Sequence, residues 1–181
     1  MSKALIIIDI QNDYFEGGAS ELVNPIKASL RAKELLEYFR KNKIPVFHVQ
    51  HINIREGASF FLANTKGVQI HENVKPLEDE IIIEKNFPNS FLQTNLEAEL
   101  EKQNIKELVI CGMMSHMCVD STTRAAFDLG YDCTLVHDAC TTKDLEFEGK
   151  ELKASEVHNS FMAAIGSVFD KLVCAEEIVK S

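Results

Sequence analysis

Apolar positions along the chain follow two alternating periods. Unbroken runs at Ala4–Ile10 (ALIIIDI), Ile44–Val49, Glu80–Glu84 (EIIIE), Leu108–Cys111 and Tyr131–Val136 have the length and β-branching of strands buried on both faces. Lys171–Cys174 adds a short sixth. Between the runs the spacing opens to three and four residues. Ile26, Leu30, Leu35, Leu36 and Phe39 form a stripe on a helix capped by Asn24, begun by Pro25 and ended by Asn42. Leu92, Leu96 and Leu100 mark a short helix ending near Asn104, and Val119, Thr122, Thr123, Ala126 and Phe127 mark one closing at Gly130. Ala154, Val157, Phe161, Ala164, Ile165 and Val168 mark the last. Strands alternating with helices predict an α/β fold, a parallel sheet covered on both faces, with the first crossover right-handed.

The pattern fails from His51 to Asp79, where Phe60, Phe61, Gly57 and Gly67 suggest a long surface excursion, expected to act as a lid or a subunit contact. A second polar loop is expected from Lys143 to Gly149. No linker, repeat or low-complexity stretch interrupts the chain, so residues 1–181 read as one domain.

Composition narrows the partners. With 181 residues and 45% hydrophobic content, the chain can bury a substantial core. A formal charge of −9 argues against nucleic acid or an anionic membrane, since nothing could neutralise a row of phosphates. A small-molecule partner is expected instead. No apolar run approaches a membrane span, and the start, MSKALIIID, has no long apolar region with a cleavage site, so a cytoplasmic location is expected. The five cysteines are an odd set without a CxxC pair, which reads as reduced thiols rather than a disulfide framework or a zinc ribbon.

Three polar residues interrupt this apolar frame at corresponding places. Asp9, Lys85 and Cys118 fall at or just past the carboxyl ends of the first, third and fourth strands, the edge where open parallel sheets bind ligands. A carboxylate in a buried run is costly unless it meets a cation. Cys118 sits where a strand turns into a helix, and both the helix N-terminus and the Lys85 ammonium are expected to lower its thiol pKa. Such an acid, ammonium and thiol could form a nucleophilic site; the alternative is a structural Asp9–Lys85 ion pair beside an inert cysteine.

The segments DIQND from Asp9, EKN from Glu84 with Ser90 and Phe91 beyond it, and GMMSHMCVDSTTRAAFDLGY from Gly112 together resemble the isochorismatase-like cysteine hydrolases, which include nicotinamidases and N-carbamoylsarcosine amidohydrolase. The likeness spans nearly the whole chain with its motifs in family order. It implies a three-layer α/β/α sandwich around a six-stranded parallel sheet, assembled as homodimers or homotetramers. By the same resemblance Cys118 is the nucleophile, Asp9 the general acid and base, and Lys85 the group that holds both. The Met113–Met114 peptide corresponds to the family's non-proline cis bond, with the N–H groups of Met114 and Cys118 as oxyanion donors. The implied reaction is hydrolysis of an amide or carbamoyl C–N bond through a thioester. Gln11, Phe15, Phe60, Phe91 and Met113 are candidates for the substrate pocket, with core packing the alternative for the aromatic rings.

The departures are equally specific. Nicotinamidases of the superfamily hold a metal with an aspartate two residues before one histidine and with a second histidine further on. Here His48, His51 and His71 occupy that region, but Val49 and Gln50 stand where the acid belongs. Those histidines read as core or surface residues, no metal or other cofactor is expected, and nicotinamide is disfavoured as substrate. Members that cleave the vinyl ether of isochorismate lack the cysteine, so Cys118 disfavours that reaction. His116 is expected to diverge from Cys118. The Asp9 and Asp13 spacing is not the paired D-x-D of a magnesium pocket, and no G-x-G-x-x-G follows the first strand. A non-catalytic, redox-regulatory role would require Cys118 to oxidise without forming an acyl intermediate.

Overall fold

The computed structural model describes residues 2–168 and 171–180. In chain order the strands are β1 (Ser2–Ile8), β2 (Val46–His51), β3 (Ile81–Lys85), β4 (Ile105–Met113), β5 (Asp132–Thr141), β6 (Leu145–Phe147), β7 (Lys150–Leu152) and β8 (Lys171–Val173). The helices are α1 (Pro25–Lys41), α2 (Leu96–Lys102), α3 (Asp120–Asp128), α4 (Ala154–Val168) and α5 (Ala175–Val179). Six strands form one parallel sheet in the order β3-β2-β1-β4-β5-β8. The chain moves one way along the sheet from β1 to β2 and the other way from β4 to β5. With right-handed crossovers, that puts α1 and α3 on opposite faces. Strand order therefore reverses between β1 and β4, and the crevice at their carboxyl ends is the switch point of the fold.

The central strands are apolar throughout because both faces are covered: Ala4 to Ile8 and Leu108 to Cys111 are all buried. Close contact between β1 and β4 also fixes Gly112. Its φ is 138°, and a Cβ there would lie 2.1 Å from the Ile8 carbonyl oxygen.

Several expectations shift by small, explicable amounts. On α1 the face toward the sheet is Ala28, Ala32, Leu35, Leu36 and Phe39, whereas Ile26 and Leu30 are 50% and 46% exposed. The small alanines let the helix approach the sheet, and spacing alone does not choose between neighbouring apolar stripes. Phe127 is likewise exposed, while Val119, Thr122, Thr123 and Ala126 are buried. On α4 the buried positions are Ala154, Val157, Met162 and Ile165, with Phe161 only half-buried and Ala164 exposed; the Val168 side chain lies outside the described residues. The helix expected from Leu92 starts at Leu96, and Cys174 caps α5 rather than ending a strand.

Two corrections are larger. Strand β5 does not stop at Val136. Its pairing with β4 jumps from Ile110–Leu135 to Gly112–Cys140, so His137, Asp138 and Ala139 bulge out before the strand resumes to Thr141. The expected loop Lys143–Gly149 contains the first strand of an antiparallel hairpin, β6 and β7. Glu148 and Gly149, with φ of 50° and 74°, form its two-residue turn, a conformation that matches hairpin twist.

The irregular segment after β2 is held down rather than loose. Asn12 and Asp13 donate backbone hydrogen bonds to the Gln69 and Gly67 carbonyls, and the His71 N–H donates to that of Ile10. The loop that follows β1 thus carries residues 67–71 across the carboxyl end of the sheet.

Candidate active site

The site is built from strand ends. Lys85 closes β3, His51 closes β2 directly opposite it in register, and Asp9 follows β1 in a left-handed conformation (φ 50°) that aspartate tolerates better than most residues. Cys118 arrives from the other side of the crevice. After β4 the Met113–Met114 peptide is cis, and Ser115–Val119 form a π-helical turn that runs into α3. The helical segment therefore begins four residues before the expected Val119, with Cys118 inside the π turn. Such turns recur at functional sites because they displace one side chain from α-helical register.

The Lys85 ammonium is the hub. Its Nζ lies 2.7 Å from Asp9 Oδ2, 2.9 Å from His51 Nδ1 and 3.3 Å from Cys118 Sγ. Asp9 and Lys85 are essentially without solvent contact, and Cys118 is 4% exposed. Burial opposes the ammonium charge, but its contacts, led by the Asp9 carboxylate, outweigh that, and the lysine pKa rises. Because an ammonium can only donate, His51 Nδ1 must accept, which assigns the neutral tautomer with its proton on Nε2. Burial first, and then the Lys85 charge, lower the His51 pKa to about 4, so the ring is neutral at neutral pH.

The thiol reverses the expectation drawn from its position. Burial and the neighbouring Asp9 carboxylate push the Cys118 pKa well up, and Lys85, pulling the other way, does not prevail. In the unliganded protein Cys118 is a thiol. A nucleophilic role then requires its proton to leave as the new bond forms. The nearby acceptor is Asp9: its Oδ1 is buried, takes no hydrogen bond from Lys85 or the backbone, and belongs to the carboxylate that acts on the Cys118 thiol.

The remaining sequence candidates divide. Gln11 is buried with its amide fully used, Nε2 donating to the His51 and Val68 carbonyls and Oε1 accepting from the His51 N–H. It clamps the β2 end. Phe60 joins Tyr14 and Phe61 in an aromatic cluster, and Phe61 also lies 5.9 Å from the His51 ring. Phe15 is buried and stacks on His71 at 3.6 Å. Phe91 packs against Tyr131, which immediately precedes β5. Met113 is fully buried at the end of β4. His116 turns to Thr142, with Nδ1 2.6 Å from its hydroxyl, while Ser115 reaches His158 on α4.

Asp13 is a loop clamp rather than half of an acidic metal pocket. Its oxygens accept from the Ala19 and Phe61 N–H groups, and a Cβ at Gly67 would run into its carboxylate. Nor do the three histidines converge as a nicotinamidase-like metal site would need. His48 bonds Glu80, His71 accepts from the Asn73 N–H, and His51 serves Lys85. Among the described residues, Asp9, His51 and Cys118 do each bring one ligand-type atom within 4.8 Å of the others. Lys85 lies within hydrogen-bond reach of all three, so a cationic group already stands where an ion would.

Sequence reasoning missed two members. His51 was read as core or surface, and Tyr14 was not singled out. Tyr14 packs on Phe61 at 4.6 Å, the ring that lies 5.9 Å from His51, and its burial raises its pKa. The usable signal for His51 was its place at the end of a strand, the feature that identified Lys85.

Comparison with known proteins identifies the family and the fold. A family model described as an isochorismatase domain matches residues 3–166. The uncharacterized isochorismatase family protein YddQ of Bacillus subtilis is 51% identical over 99% of this chain and 100% of its own length. A streptothricin hydrolase of Streptomyces noursei is 29% identical over 97% of this chain, which spans 60% of that protein. The crystal structure of an isochorismatase from Pseudomonas putida superposes with a TM-score of 0.90 at 35% identity, over 97% of this chain and 89% of the other.

Proposed function

This chain belongs to the isochorismatase family of hydrolases, and from that premise we propose that it is a cysteine hydrolase cleaving an amide or carbamoyl C–N bond of a small molecule. The observation that carries the reading is the buried convergence of the Lys85 ammonium on Asp9 and Cys118, with one Asp9 oxygen free. A relative named as a streptothricin hydrolase supports a hydrolytic reaction.

Cys118 Sγ attacks the substrate carbonyl as its proton passes to Asp9. The developing oxyanion is received by the N–H groups of Met114 and Cys118. Asp9 then returns the proton to the leaving nitrogen, the C–N bond breaks, and ammonia or an amine departs from a thioester. Water attacks that thioester while giving a proton to Asp9, and the proton goes back to sulfur as the acid leaves. Lys85 stays charged throughout, holding the carboxylate and the sulfur in place. The starting pair is thiol and carboxylate, so the proton transfer is built into the attack.

The test is ammonia release from a panel of primary amides and N-carbamoyl compounds, with mass analysis of the Cys118 peptide during turnover. The expected result is an acyl adduct on Cys118 and complete loss of turnover in Cys118→Ala. Turnover retained by Cys118→Ala ends the covalent reading.

A further inference from the structure

A buried acceptor without a partner calls for an explanation, and Asp9 Oδ1 is one. It belongs to the carboxylate whose other oxygen already takes a hydrogen bond from Lys85. An ammonium has three hydrogens, and Lys85 places one on Asp9 Oδ2, one on Cys118 Sγ and one on His51 Nδ1. Without His51, the third hydrogen would be a buried charged donor lacking an acceptor. The free acceptor on a residue it already contacts is Asp9 Oδ1.

We propose that His51 is a positioning residue: by taking the third hydrogen of Lys85, it keeps the ammonium from closing onto both oxygens of Asp9 and leaves Oδ1 free for the Cys118 proton. The inference rests on the reading of Cys118 as nucleophile, and it goes further by giving a function to a residue outside the acid, lysine and cysteine set.

The surroundings of His51 suit that role. It pairs with Lys85 in the β2–β3 register, so their side chains leave adjacent strands at one level. Its backbone is clamped on both sides by Gln11, whose Oε1 accepts from the His51 N–H at 2.8 Å and whose Nε2 donates to the His51 carbonyl at 2.9 Å. Phe61 packs beside its ring. A neutral imidazole is the form that can accept, and burial and the Lys85 charge both favour it. Gln11 acquires a purpose as well: it orients His51, which orients Lys85.

The test uses iodoacetamide and needs no substrate. The alkylation rate of Cys118 is followed against pH, peptide by peptide, in the wild type, His51→Ala, His51→Leu and His51→Asn; the Asn side-chain oxygen stands where Nδ1 stood. In the Ala and Leu variants Lys85 should turn to Asp9 Oδ1 and away from sulfur. Alkylation below the thiol midpoint should then slow by about tenfold or more, the rate equivalent of one hydrogen bond to a charged group. Asn should restore it to near the wild-type rate. Either acceptor-free variant suffices if the other does not fold. An unchanged alkylation profile in a folded Ala or Leu variant overturns the proposal. So does an Asn variant that is folded yet as slow as Ala, because a purely structural role would not follow the acceptor. Failure of the covalent reading would appear separately, as turnover persisting in Cys118→Ala.

Discussion

Strands β2 and β3 carry a charged cluster at each end, and the two clusters behave oppositely. At the amino end, Glu80 precedes β3 and accepts from Arg40 Nε and Nη2, the Leu77 N–H and His48 Nε2. At the carboxyl end, Asp9 meets Lys85, with His51 and Cys118 on the same ammonium. Both ends pair a histidine of β2 with an ion. At the amino end the carboxylate is saturated by four donors; at the carboxyl end one carboxylate oxygen is left without a partner beside a thiol. In the first arrangement the carboxylate is saturated, and the atom left without a partner is a ring nitrogen, His48 Nδ1, rather than an acid oxygen. The second leaves an acid oxygen that neither Lys85 nor the backbone takes up, next to the Cys118 thiol, and that difference is what the proposed chemistry draws on.

The sharpest way to break the comparison is Asp9→Asn. Removing the carboxylate should lower turnover by about 10²–10⁴-fold, the usual worth of a general acid and base. The same change removes a group that raises the Cys118 pKa while leaving Lys85, which lowers it, so alkylation of Cys118 at neutral pH should accelerate. Hydrolysis and thiol reactivity would then move in opposite directions. If both fall together, Asp9 acts on the fold and not on the proton. In the wild type the alkylation midpoint should lie above the roughly 8.5 of a free thiol. A midpoint below that value would show that Lys85 dominates the thiol after all.

Stability separates the clusters next. Lys85→Met leaves the Asp9 carboxylate buried and unpaired, and should lower the unfolding free energy by about 3–5 kcal/mol in urea titration. Glu80→Gln keeps an oxygen acceptor at a site 10% exposed, so about 1–3 kcal/mol is expected there. Turnover of the folded Glu80→Gln protein should be unchanged, since it shares no partner with the reacting groups. A loss of turnover larger than the loss of stability explains would show that the two ends are coupled through β2 and β3.

How much of this could be read from the sequence follows from the same contrast. Asp9 and Lys85 were legible because each is a charged residue at the carboxyl end of an apolar run, and Cys118 because it falls where a strand turns into a helix. The parallel sheet was legible from the runs themselves. His51 was not legible, because its meaning depends on a lysine 34 residues away in the chain and opposite it only in the sheet. For Cys118 a helix terminus and a lysine, which lower a thiol pKa, are visible in sequence, and burial beside a carboxylate, which raises it, is not. The bulge in β5 and the β6–β7 hairpin were lost for a similar reason. His137, Asp138 and the polar segment after Thr142 look like loop, and only pairing across strands shows otherwise.

The smallest effect expected is in the pH dependence of folding, and it reads both clusters in one curve. Glu80 has a folded pKa of about 2; burial works against its charge, but Arg40, the Leu77 N–H and His48 hold it down against an ordinary 4.5. His51 is lowered from 6.5 to about 4 by burial and Lys85. In each case the unfolded chain takes up a proton at a higher pH than the folded one, so stability falls as pH falls. The His51 contribution is lost between pH 6.5 and about 4, and that of Glu80 between 4.5 and about 2. Replacing His51 by Asn should flatten the upper limb of stability against pH, and Glu80→Gln the lower. The upper limb should not vanish, because His48, His71, His116 and His158 are also lowered by burial. If His51→Asn leaves the slope between pH 6.5 and 4 unchanged, the folded protein carries His51 protonated in that range. A protonated ring has no lone pair to offer Lys85, and the two ends of the sheet would then be alike.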